Sequence, residues 1–138
     1  MIFGDAVAIL IRAILAWALI IAAESVHGAL RRILLDPDTA FALRQVSVGV
    51  AVLIVFAVTW VSDRWMAVRG TGALLGVGLL WVILTLAFEF GLGRALGMSV
   101  QQIAEGYDLS KGNIMPLGLL ATVLAPWIVA RLRSRSAA

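Results

Sequence analysis

Four apolar runs dominate this chain, each close to the roughly 20 residues that a helix needs to cross a hydrocarbon core about 30 Å thick. They fall at about 6–27, 43–61, 71–92 and 114–130. In lipid a segment must satisfy its own backbone hydrogen bonds, and runs of this length do so as helices. The sequence therefore predicts an all-α polytopic membrane protein, a four-transmembrane-helix bundle forming a single domain over 1–138. Composition supports this: 62% of residues are apolar and 14% charged, with a mean hydropathy of +1.03. Soluble domains average about 45–50% apolar and about 25% charged. With 11 Lys and Arg and 8 Asp and Glu, the chain lacks the charge to keep a soluble surface apart from its neighbours. Disorder is excluded on the same ground, because it requires low hydrophobicity.

Several chemistries are excluded early. With no cysteine there is no disulfide relay, thiolate metal site or iron–sulfur ligand set. A net charge of +3, dispersed along the chain, gives no nucleic-acid footprint. No phosphate-binding Gly-Lys-Ser/Thr loop, Gly-x-Ser-x-Gly elbow or His-Glu-x-x-His is present. No cofactor is implied, and the balance leans away from an enzyme.

The connections carry their own signals. Asp36-Pro37-Asp38-Thr39 reads as a stop followed by a capped start, with Pro37 suited to a first helical position. Ser62 to Gly70 reads as a polar link, flanked by Trp60 and Trp65 at the level of an interfacial aromatic belt. Between the third and fourth spans, Ser99 and Gln102 form a capping-box pattern. Val100, Ile103, Ala104 and Tyr107 then recur at helical spacing, predicting a short amphipathic helix at about 99–107. That helix either lies on the membrane surface or covers the end of the bundle.

The first run has no early basic residue and carries Asp5, so it reads as an uncleaved span rather than a signal peptide. An even number of spans puts both termini on one side. The dense Arg131-Leu132-Arg133-Ser134-Arg135 tail favours the cytoplasm for that side. Ten of the eleven basic residues are Arg, alongside abundant Ala, Gly, Leu and Val. This composition suggests a GC-rich bacterial source and a cytoplasmic (inner) membrane.

Ionisable residues inside spans are costly and usually face the bundle interior. Arg12, Glu24 and Glu89 stand out. Arg12 reads as a residue whose stem runs along the helix while its head reaches the interface. Glu24 and Glu89 lie on the first and third helices, which run in the same direction. Both fall about seven or eight residues past the middle of their spans, or roughly 11–12 Å from the midplane at about 1.5 Å per residue. Glu24, His27 and Arg31 share one helix face, as do Gly78, Thr85 and Glu89, and Arg94 follows closely. The candidate ligand- or proton-binding set is therefore Glu24, His27, Arg31, Glu89 and Arg94, supported by Tyr107, Asp108, Lys111 and Asn113 on the same surface. Carboxylates and a histidine can hold or pass protons near neutrality. The same residues have a structural reading, with Glu24–Arg31 and Glu89–Arg94 pairs fixing helix register. Glu24-x-x-His27 also matches half of a carboxylate-bridged di-metal motif, with Glu89 as a further ligand. So short a spacing recurs by chance, and no metal is assigned.

Small residues suggest close helix packing. Gly72-x-x-x-Gly76 and Gly118-x-x-x-Thr122-x-x-Ala125 would admit a neighbouring helix, within the chain or across a homo-oligomer. Pro126 interrupts the hydrogen-bond ladder of the last span. Three functional readings follow. The first is a small integral membrane protein whose polar pocket near one face binds or conducts an ion, a proton or a small anionic solute, as in transport. The second is an intramembrane lipid-binding protein or enzyme using carboxylate and His acid–base or metal chemistry, with anionic lipid held by Arg31, Arg32, Arg94 and Lys111. The third is an accessory subunit of a membrane complex. The bilayer is the one partner common to all three.

Overall fold

The computed structural model of the chain describes residues 2–34, 40–105, 107–108, 110 and 115–137. Five helices follow in order: α1 Ile2–Leu34, α2 Ala40–Met66, α3 Thr71–Ala95, α4 Val100–Glu105 and α5 Met115–Ala137. No strand occurs among the described residues. Four of these helices contain stretches long and apolar enough to cross a membrane: Gly4–Leu30, Gln45–Met66, Thr71–Ala95 and Met115–Ser134. Within each, only 17–28% of an 18-residue apolar window is buried against the rest of the chain. Outward-facing residues such as Leu53, Val61 and Val26 are therefore large and apolar, as a lipid-facing surface requires.

The helices overrun the apolar runs because apolarity marks where lipid is, while helical hydrogen bonding continues into the interface. α2 extends through Ser62, Asp63 and Arg64 to Met66, so the polar link expected from Ser62 shrinks to a turn at 67–70. In that turn the Ala67 amide donates to the Asp63 carbonyl (3.1 Å). Ala67 and Gly70 both take positive φ, 54° and 94°, while Met66 and Val68 turn inward and are buried. The Asp36–Thr39 capping signal lies outside the described residues.

The main packing contacts run from α1 to α2, α2 to α5, α5 to α3 and α3 back to α1, closing a ring. α2 and α3, consecutive in sequence, thus stand across the ring from each other. The parallel pair α1–α3 is tied by two indoles. Trp81 Nε1 donates to the Ala13 carbonyl (2.9 Å) and Trp17 Nε1 donates to Thr85 Oγ1 (3.1 Å). Both pairs are 68 residues apart, as two parallel helices in constant register demand. Trp81 is fully buried, among Ala13, Ala16, Val77 and Ala125. Small residues on α1 make room for the largest side chain on α3.

α3 and α5 approach closely at Gly78, where an added Cβ would run into the backbone of Val123. Gly118 meets Val48 of α2, and Thr122 and Ala125 are buried, so the small residues of α5 lie at helix contacts. Gly72 and Gly76 do not: nothing among the described residues comes within 4 Å of a Cβ added at either. The glycine that α3 uses against α5 is Gly78, and spacing alone did not distinguish it from Gly72 and Gly76. α5 remains helical through Pro126, which is buried.

The capping box forms as expected. The Gln102 amide donates to Ser99 Oγ (3.1 Å) and the Ser99 amide donates to Gln102 Oε1 (2.8 Å). The helix it starts is shorter than predicted, ending at Glu105. Ile103 is buried against Gly93 of α3, in the space a side chain would fill, while Val100 faces outward. Gly97, at φ 87°, turns the chain between α3 and α4.

Candidate functional site

A cavity of about 80 Å³ lies between α1, α2, α3 and α5, enough for a few waters or one small solute. Its ionisable lining residues, among those described, are Glu24 and Glu89. Their convergence follows from the fold. α1 and α3 run parallel, so residues near their C-terminal ends reach the same depth. α2 and α5 run the other way and bring their N-terminal halves, including Val48 and Gly118, to that level. Trp17, Trp81 and Thr85 close the cavity toward the bundle core, and Trp17 also packs edge-on against Phe88 at 6.3 Å between ring centres.

The two carboxylates are held differently. Glu89 Oε2 accepts a hydrogen bond from the Tyr107 hydroxyl, and the Tyr107 ring stacks on Phe90 with centroids 6.2 Å apart and planes 20° apart. The segment after α4 is thereby laid over the end of α3. Glu24 Oε1 is buried and has no hydrogen-bond partner among the described residues. A buried carboxylate oxygen without a donor costs free energy unless a ligand, a water or a proton satisfies it.

The remaining predicted site residues disperse. His27 turns toward α2, where its Nε2 lies 3.3 Å from Ser47 Oγ, and it is not part of the cavity lining. Its place three residues beyond Glu24 puts it about 60° around the helix from that carboxylate. Arg94 is exposed and donates from Nη1 to the Met98 carbonyl (3.4 Å). Five residues along a helix is a rotation of about 140°, so Arg94 points away from Glu89. Asp108 Oδ1 accepts from the Ser110 amide (2.9 Å) and hydroxyl (2.6 Å), a local turn. Arg31 belongs to α1, but its side chain, like Lys111 and Asn113, falls outside the described residues. Glu24, His27 and Glu89 do not assemble into a three-ligand metal cluster. Arg12 reaches the opposite end of the bundle, donating from Nη1 to the Trp65 carbonyl (3.1 Å).

Residue-type reasoning found both carboxylates but overlooked Trp17, Trp81 and Ser47. Trp17 carried a usable signal. It lies seven residues before Glu24, on the same helical face, and well inside a span rather than at its end. Ser47 and the α2 lining residues carried none, because nothing in their spacing names the helix they meet. No family model, curated protein or solved structure matches this chain.

Proposed function

We propose that this small integral membrane protein takes up a proton or a small cation in the Glu24–Glu89 cavity, near one membrane face. The observation that carries the reading is a pair of carboxylates lining one cavity, with Glu24 Oε1 buried and lacking a donor among the described residues. Of the solutes considered from sequence, an anion is the least suited, because the described lining has two carboxylates and no basic side chain. Tyr107, held on Phe90, controls the approach to Glu89 from the bundle end. On this reading the chain is a single four-span domain, acting in transport as a monomer or small homo-oligomer. The proposal includes a bacterial inner membrane with both termini in the cytoplasm, following the Arg-rich tail.

The test uses the indoles beside the cavity. Purified protein in detergent is titrated with protons, Na⁺, K⁺ and methylammonium at constant ionic strength while tryptophan fluorescence is followed. A saturable change with at least one of these, lost in both Glu24→Gln and Glu89→Gln while helicity is kept, supports the reading. No response to any of them, or unfolding of both variants, overturns it in favour of a purely structural pair.

A further inference from the structure

The opposite end of the bundle carries a different chemistry. Three guanidinium groups there lie over indole rings: Arg133 over Trp60 (4.7 Å to the ring centre), Arg131 over Trp127 (5.2 Å) and Arg12 over Trp65 (6.0 Å). Two of the pairs cross between helices. Arg133 reaches from α5 to α2, and Arg12 reaches from α1 to α2, where it also caps the Trp65 carbonyl. The last turns of α2 are therefore flanked on both sides by guanidiniums. Arg64 and Arg69, both exposed, lie at the same end. The described residues there place five guanidiniums against the carboxylates of Asp5 and Asp63.

From this arrangement we infer that this rim binds anionic phospholipid headgroups. A guanidinium lying over an indole is held in place by the ring, while its in-plane N–H donors stay available for the paired oxygens of a phosphate. The tryptophans fix the depth. Trp60 and Trp65 are partly exposed at the end of an apolar span, where indoles sit at headgroup level. The ligand is therefore a phosphodiester presented at the bilayer surface. An anionic leaflet attracts such a basic rim by roughly a factor of five per Arg, and salt screens that attraction. The inference is independent of the carboxylate cavity, which lies toward the other end of α1 and α3.

Native mass spectrometry of the full chain, taken from mixed micelles of equal phosphatidylglycerol and phosphatidylcholine, tests it. Wild-type protein is expected to retain phosphatidylglycerol preferentially. Arg131→Gln/Arg133→Gln and Arg12→Gln are expected to reduce that preference by about five-fold per guanidinium removed, while Arg94→Gln at the far end leaves it intact. Arg133→Lys, which keeps the charge but not the planar fork of donors, should fall between. Equal retention of the two lipids by wild type overturns the inference. So does an unchanged preference in the rim variants with helical circular dichroism preserved. Complete displacement of phosphatidylglycerol by millimolar inorganic phosphate would also overturn it, since the ligand would then be free phosphate.

Discussion

The Tyr107 hydroxyl donates to Glu89 across the boundary between the bundle and the segment that follows α4. It joins the segment following α4, the one described helix that does not span, to one of the two carboxylates of the cavity. The stacking of Tyr107 on Phe90 holds that segment at a second point, and the seating of Ile103 on Gly93 holds α4 itself. Losing the hydroxyl leaves the ring stacked but removes the donor. Tyr107→Phe is therefore expected to lower stability by about 1–2 kcal/mol, the range for a hydrogen bond to a carboxylate that keeps some access to water. It should also make Trp17 fluorescence more accessible to a small aqueous quencher. Thermal unfolding in detergent and a quenching titration check the two effects.

Glu24 behaves differently, because its buried Oε1 has no donor among the described residues to lose. An amide is cheaper to bury than a carboxylate. Glu24→Gln is expected to raise stability by about 1 kcal/mol while abolishing the fluorescence response to protons or cations. Unfolding midpoints of the variant and wild type, measured side by side, decide whether the carboxylate stabilises the bundle. A fall in the midpoint would assign it a structural role.

Gly78 and Gly76 separate packing from lipid contact within two residues of α3. A methyl group at Gly78 would overlap the Val123 backbone, whereas one at Gly76 meets nothing among the described residues. Gly78→Ala is expected to cost at least about 1–3 kcal/mol as α3 and α5 are forced apart. Gly76→Ala should be neutral or stabilising by up to about 1 kcal/mol through helix propensity. Unfolding in mixed detergent and denaturant measures both.

At Gly93 a Cβ would come within 2.6 Å of Ile103 Cδ1, the far end of a flexible side chain. Gly93→Val is therefore expected to expel Ile103 and loosen α4 without breaking the four long helices. Hydrogen exchange should rise across 99–105 and stay unchanged in α1 and α2. Protection across 99–105 equal to wild type would show that α4 is held by something other than this contact.

Ala67 ends α2 at φ 54°, a left-handed conformation that costs a residue with a Cβ roughly 1–2 kcal/mol. Part of that is offset by the extra freedom glycine brings to the unfolded chain. Ala67→Gly is expected to stabilise by about 0.5–1 kcal/mol, read as a rise in the thermal midpoint with no change in helicity.

Much of this architecture is local and so could be read along the chain. Span length against bilayer thickness yields four helices, the Ser99–Gln102 reciprocity starts α4, and the depth arithmetic brings Glu24 and Glu89 to the same level. Each depends on distances along one helix or on the alternation of direction, and neither requires knowing which helix touches which. The ring order is a different kind of fact. It sets α2 across from α3, turns His27 onto Ser47, gives the close approach to Gly78 rather than Gly76, and lets Arg133 reach Trp60. Apolar spans present nearly uniform hydrophobic faces to one another, with little periodic signal to mark the packed side. Neighbours are therefore chosen by steric fit between particular side chains, such as Trp81 against Ala13 and Ala16, and that fit exists only once all four helices are assembled.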